Sequence, residues 1–257
     1  MESKHKHVDI LGVDVTAINM QQTIDTIDEW IRTNHNKYIC VVPAHSIFLG
    51  YQNLQLREIF NHSGLTTPDG MVIVWLLRLH GYRNVDRVYG PDLMHAVCKH
   101  SLQTGWKHYF FGGEPGVADQ LSEKLKTQYP ELQISGTYSP PFRQLTQDED
   151  NEIITNINHA HPDIVWVGLG SPKQEYWMYE HLEKLSAPVL IGVGAAFDFL
   201  SGNKHQAPRW IQRSGFEWLF RLVNEPRRLW RRYANYPLFI FLILLQLFHL
   251  KKFSNHN

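Results

Sequence analysis

Short, continuously apolar runs alternate along the chain with longer stretches whose apolar positions recur every three to four residues. VDILGVDV reads as a strand with a turn at Gly12. Ile18, Ile24, Ile27 and Ile31 then follow at helical spacing, with Thr16 offered as the cap. Tyr38 to Val42 is a β-branched run broken by Pro43, so a buried strand is expected to empty into a loop. LREIFNHSG predicts a short helix closed by Gly64. A turn at Pro68-Asp69-Gly70 opens the next helix, which ends at Gly81. Another helix starts near Pro91 and stops at Gly105.

KHYFFGG is a strand meeting a glycine turn, and EPGVADQLSEKLKTQYP is the helix after it. LQISGTYSPPF predicts a strand and loop, and TQDEDNEIITNINHAHP an acid-started helix. DIVWVGLGSPKQEYWMYEHLEKL predicts strand, turn and helix; PVLIGVGAAFDFLSG predicts a strand and loop. Strand–helix alternation with uninterrupted apolar strands implies an α/β fold, a mostly parallel sheet with helices on both faces. Residues 1–203 read as one α/β domain. Residues 204–257 read as a helical C-terminal appendage of different composition.

Composition changes this picture little. Of 257 residues, 43% are hydrophobic and 19% charged, enough to bury a core without staples. Cys40 and Cys98 form no motif and read as buried small residues. Lys+Arg and Asp+Glu both number 25, which argues against bulk nucleic-acid binding. The first residues lack the apolar segment of a signal peptide, so a cytoplasmic chain is expected.

In parallel sheets, ligands gather where strand carboxyl ends meet the following helices. Four segments qualify: VVPAHS, FFGGEPG, VGLGSPKQE and GVGAAFD. The turns at Gly112-Gly113 and Gly168-x-Gly170 suit a phosphate at a helix N-terminus and suggest a phosphorylated or nucleotide ligand. They match neither the dinucleotide fingerprint nor the P-loop, and equally suit plain turns. Asp69, between Pro68 and Gly70, is either a turn former or a general base at a loop tip; spacing alone does not choose. The acids from Asp148 to Glu152 read as a helix start rather than a D-x-D metal site. The scattered histidines show no ligand spacing, so no metal is assigned.

The tail departs from the neutral average. From Lys204 to Arg232 there are eight basic residues against Glu217 and Glu225. RLVNEPRRLWRRY carries five arginines in thirteen residues. Pro226 is placed to start a short helix, which puts Arg228 and Arg231 on one face. Trp230 and Tyr233 are positioned as interfacial aromatics. The uncharged run Pro237 to Phe248 is twelve residues, short of the ~20 that a spanning helix needs. A helix lying in the membrane interface, flanked by Lys251 and Lys252, is favoured over a span or a buried core helix. A chain ending near Gly202 is then expected to fold as an α/β domain without membrane binding.

TPDGM, VYGPDLM, FFGGEPGVA, VGLGSPKQEYWM, GVGAAFDFLSG and APRWIQRSGFEWLFRLVNEPRRLWRRY occur in that order. Together they resemble the WecG/TagA/CpsF glycosyltransferases (glycosyltransferase family 26), over about residues 8–235. The resemblance implies a Rossmann-like fold. It also implies inverting transfer from a UDP-sugar donor to a polyprenyl-diphosphate-linked acceptor at the cytoplasmic membrane surface, in bacterial surface-polysaccharide synthesis. It places the general base at Asp69. Lys173, Gln174 and Glu175 fall in the donor site, to which Gly112, Gly113, Tyr138, Gly168, Gly170, Gly194, Phe197 and Asp198 are also assigned. Arg221, Arg228 and Arg231 match arginines that meet the diphosphate. Arg227 and Arg232 are left for lipid heads or water.

No cofactor and no nucleic acid are implied, and a homo-oligomer is neither required nor excluded. Relatives often carry Thr and Asn after the second strand, where this chain has Val42-Pro43-Ala44-His45-Ser46. His45 is therefore a candidate acceptor contact, and the sugar specificity is left open. A non-catalytic nucleotide-sugar or lipid-carrier binder on the same fold is the alternative. A nicotinamide-dependent oxidoreductase is disfavoured by the missing fingerprint and by the tail.

Overall fold

A computed structural model describes residues 5–251 and 253. Along the first half run β1 His7–Ile10, β2 Val13–Thr16, α1 Met20–Thr33, β3 Lys37–Val42, α2 Ala44–Gln52, α3 Leu54–Asn61, β4 Leu65–Pro68, α4 Met71–Leu79 and α5 Gly90–Thr104. They are followed by β5 Lys107–Gly112, α6 Val117–Gln128, β6 Gln133–Tyr138, α7 Gln147–His159, β7 Ile164–Gly168, α8 Lys173–His181, β8 Val189–Gly192 and α9 Ala196–Leu200. The tail holds α10 Arg209–Arg213, α11 Glu217–Asn224, α12 Pro226–Tyr233 and α13 Tyr236–Leu247. Six strands form one sheet in the order β4-β3-β8-β7-β5-β6, and β1-β2 form a separate hairpin.

The chain divides into two compact units. One holds residues 20–41 and 89–205; the other holds 1–19, 42–88 and 206–257. In the first, all the ladders among β3, β8, β7, β5 and β6 are parallel. Trp166, Phe110 and Phe111 are fully buried along them, as the unbroken apolar runs require. The buried His108 is satisfied within this core. Its Nδ1 accepts from Trp166 Nε1 at 2.9 Å and its Nε2 reaches Ser101 Oγ at 2.9 Å. The acid-started helix α7 opens with a capping box between Thr146 and Glu149, and Glu149 also pairs with Arg143.

In the other unit, β1 and β2 turn at Leu11 and Gly12, both at positive φ. Thr16 does not cap α1. It ends β2, and its hydroxyl accepts from Thr66 N at 3.1 Å. The run after β3 becomes a helix rather than the expected loop. Pro43 sits at the N-cap of α2, where its missing N–H costs nothing, and its carbonyl takes Ser46 N at 2.9 Å. Ile47 and Phe48 then pin α2 to the core. LTTP, too short for its pattern to mark a strand, is β4.

The segment from residue 206 belongs to the same compact unit as the N-terminal hairpin and residues 42–88. In α13, Phe239, Leu242, Ile243 and Gln246 recur at helical spacing; the three apolar members are buried. Gln246 closes the β1–β2 turn. Its Nε2 donates to Asp9 Oδ1 at 2.7 Å and Asp9 O at 2.9 Å, and its Oε1 accepts from Leu11 N at 3.0 Å. The opposite face exposes Leu238, Phe241, Leu244 and Phe248. Among the described residues, no helix is long and apolar enough to cross a membrane. Lys252, expected to flank this run, lies outside the described residues.

Cutting near Gly202 thus removes part of a unit's interior, including Leu229 and Tyr233. Leu242→Ala is expected to destabilise the full chain by about 2–3 kcal/mol, through lost transfer energy and a residual cavity. Urea unfolding with unchanged slope would register the loss.

Candidate active site

Asp69 follows β4 directly. Its N–H donates to Val42 O at 3.2 Å, and Gly70 behind it is the N-cap of α4. One guanidinium organises this carboxylate. Arg87 donates through Nε to the Asp69 carbonyl and through Nη2 to Asp69 Oδ1 at 3.3 Å. The same Nη2 reaches Glu217 Oε2 at 2.6 Å, and Nη1 approaches Gln212 O at 3.4 Å. The side chains of Asp69, Arg87 and Glu217 are only 18%, 12% and 13% exposed.

Glu217 is placed by local geometry. Gly215 turns at positive φ with the Trp75 ring on its Cα, 2.7 Å from where a Cβ would stand. Phe216 is then the N-cap of α11, and Glu217, the first residue of that helix, meets Arg87. Burial raises the Asp69 pKa to about 6, against Arg87, which lowers it; Glu217 raises it and Arg221 lowers it. Asp69 is thus mostly ionised at pH 7 yet a stronger base than an ordinary carboxylate. That combination suits proton abstraction.

The tail arginines separate by surroundings. Arg221 and Arg232 are half-buried, whereas Arg228 and Arg231 are exposed. Arg228 grips both oxygens of Glu225, at 2.6 and 2.8 Å. Arg231 lies over the Trp230 ring, 5.4 Å from its centroid. For Arg232, burial and then its neighbours Arg221 and Arg228 lower the pKa. Arg232 also helps hold His45 neutral: burial, then Arg232, pushes the imidazole down to about 3. His45 Nδ1 is buried with no hydrogen-bond partner among the described residues. Tyr233 and Tyr236 complete the cluster, Tyr236 feeling the charges of Arg232, Arg221 and Asp69.

The predicted nucleotide-sugar residues lie in the other unit. Gly112, Tyr138 and Gly168 end β5, β6 and β7, and Gly194 follows β8. The parallel registers set Phe111 beside Tyr138, Gly112 beside Gly168, and Val167 beside Gly192. Gly113 N donates to Gly168 O at 3.1 Å. A side chain at Gly112 would meet the Gly168 backbone at 2.6 Å, and one at Gly168 would meet the Phe197 ring at 2.6 Å. These glycines let the strand ends approach, and Phe197, fully buried, is the floor beneath them.

Gly170, at φ 77°, faces open space, and its carbonyl accepts from Gln174 N at the start of α8. Lys173 is exposed, while Gln174 and Glu175 are buried. Gln174 Nε2 meets Glu175 Oε1 at 3.1 Å, and Gln174 Oε1 is buried without a partner among the described residues. Asp198 is tied to Lys204 at 2.6 Å and sits in the first turn of α9, a helix where a loop was expected. Tyr138 stacks on Phe111 with ring centroids 6.1 Å apart, and Phe111 stacks on Trp177. Among the described residues, no group of three His, Cys, Asp or Glu side chains could hold a metal ion.

Sequence reasoning missed Arg87 and Glu217. Arg87 lies 18 residues from Asp69 in chain order, and Glu217 lies 130 residues from Arg87. No local periodicity links such positions. Pro68-Asp69-Gly70 and the tail glutamate were each visible, but not the guanidinium between them.

Residues 8–253 match the family described as "Glycosyl transferase WecG/TagA/CpsF family". The chain is 27% identical over 227 residues to an N-acetylglucosaminyldiphosphoundecaprenol N-acetyl-beta-D-mannosaminyltransferase of Bacillus subtilis, covering 88% of this chain and 86% of that protein. A Bacillus spizizenii protein of the same name is 27% identical over 215 residues, 84% of this chain and 81% of the relative. A Staphylococcus aureus protein, again so named, is 26% identical over 238 residues, 92% and 91% of the two chains.

Proposed function

The chain belongs to the WecG/TagA/CpsF family of glycosyl transferases, and from that premise we propose that it moves an N-acetylmannosamine-type sugar from a UDP-sugar to a polyprenyl-diphosphate-linked N-acetylglucosamine. The relatives' names supply the sugar and the acceptor. The observation that carries the mechanism is the buried Asp69, held by Arg87 and raised to about 6.

The reaction is a single displacement with inversion. The acceptor hydroxyl oxygen attacks the anomeric carbon, the bond from that carbon to the UDP oxygen breaks, and UDP leaves with the electron pair. Asp69 takes the hydroxyl proton. Negative charge growing on the leaving diphosphate, and that already on the acceptor diphosphate, calls for fixed cations. Arg221 and Arg232 fit this need, since a planar guanidinium matches phosphate oxygens. His45, neutral through the working pH range, is suited to exchange a hydrogen bond with a sugar hydroxyl. The glycine turns and the Gln174–Glu175 pair are proposed to take the nucleotide.

We place the protein at the cytoplasmic face of the membrane. Support comes from the apolar outer face of α13 and from exposed Trp210 and Trp230 among basic residues. Flotation with anionic vesicles is expected to carry the full chain. The double substitution Phe241→Ser and Leu244→Ser is expected to weaken flotation severalfold, and equal flotation would remove α13 as the contact. A panel of UDP-sugars in a thermal-shift assay tests the donor. UDP-N-acetylmannosamine is expected to raise the melting temperature most, and stabilisation only by other UDP-sugars would move the reading to a different donor.

A further inference from the structure

Arg87 bridges two carboxylates unequally. Its Nη2 is 2.6 Å from Glu217 Oε2 but 3.3 Å from Asp69 Oδ1. The guanidinium has a fixed planar fork, and its Nε is already committed to the Asp69 main-chain carbonyl. The strong ionic contact therefore goes to the tail glutamate, and Asp69 keeps a long one.

We propose that Glu217 is a positioning residue for the reaction: by drawing Arg87 toward α11 it prevents a close Arg87–Asp69 ion pair and so keeps Asp69 available to accept a proton. A carboxylate gripped in a short, charge-assisted pair by an arginine is a poorer base than one at the end of a long contact, because the closer pairing stabilises its ionised form more. Among the described residues, the titratable groups that act electrostatically on Asp69 include Arg87, Glu217, Arg221 and Tyr236. Glu217 competes with Asp69 for the guanidinium between them, at the same Nη2. Glu217 also adds its own negative charge, which acts in the same direction. Since it starts α11, the basic character of Asp69 is built partly by the tail.

This inference rests on the reading of Asp69 as the base, but the two can fail separately. The direct test is a carboxyl titration of the full chain labelled with 13C-aspartate, with the Asp69 signal assigned by its loss in Asp69→Asn. In the wild type it is expected to titrate near 6. In Glu217→Gln the midpoint is expected to fall by about one pH unit, since an arginine released to pair with a carboxylate lowers its pKa by 1–3 units. Glu217→Asp should restore much of the difference.

A loosened tail that merely wets Asp69 would also lower the midpoint, so the shift is measured again in Arg87→Gln. If Glu217 acts through Arg87, its substitution there has a much smaller effect. A shift of equal size in both backgrounds, or none in either, overturns the inference. Turnover by Asp69→Asn equal to wild type, with UDP-N-acetylmannosamine and lipid-linked N-acetylglucosamine as probes, would instead overturn the reading of Asp69 as base. The titration would still report whether Glu217 controls its proton.

Discussion

Asp69→Asn is expected to lower kcat by a factor of about 100 to 10,000, the range over which a positioned general base contributes. The amide is nearly isosteric and can still accept from Arg87, so the fold and the Arg87–Glu217 contact should persist. Affinity for the nucleotide, assigned to the other unit, should change little. The same residue fixes the pH dependence. A base with a pKa near 6 is ionised above that value, so kcat/KM should be level above about pH 7 and fall tenfold per unit well below 6. His45, at about 3, adds no charge in this window. Unimpaired turnover by Asp69→Asn would show that the proton goes elsewhere.

Arg221→Ala carries the second-largest expected effect. Arg221 is half-buried and its charge reaches Asp69, Arg232, Tyr233 and Tyr236. Loss of a charge-assisted contact to phosphate is worth about 1.5–3 kcal/mol, so KM for the lipid-linked substrate should rise about 10- to 100-fold. Arg232→Ala should act in the same direction. Arg231→Ala should cost less than about threefold, in keeping with an exposed cation resting on Trp230. Steady-state kinetics at fixed low salt compares the three. A larger effect at Arg231 than at Arg232 would favour the assignment that the family resemblance implies.

The sheet was legible because its strands are buried on both sides and therefore read as unbroken apolar runs, as in Ile164–Gly168. Gly105 and the acids from Asp148 marked helix ends through chemistry that is local, a left-handed C-cap and carboxylates in the first turn of α7. The helix after Pro43 was not legible, since a proline after an apolar run signals a break and an N-cap alike, and only the fold shows the N-cap. Nor was the inner face of α13. An all-apolar helix shows no polar stripe, and its one informative residue, Gln246, finds its partner some 237 positions away at Asp9. The site divides the same way. Asp69 could be singled out by its turn, and the glycine turns by their place after strands. Arg87 and Glu217 matter only because the fold joins them. Along the tail, spacing counted arginines but could not tell a half-buried Arg232 from an exposed Arg231.

The most direct measurement is transfer itself. Purified full-length protein is incubated with UDP-N-acetylmannosamine and N-acetylglucosaminyl-diphosphoundecaprenol, and the lipid product is examined for its new glycosidic linkage. A β-linked disaccharide on the lipid, formed with release of UDP and lost in Asp69→Asn, is the predicted result. Binding of UDP-sugar and lipid without any disaccharide, across the whole panel of UDP-sugars, would contradict it and make the protein a binding module on this fold.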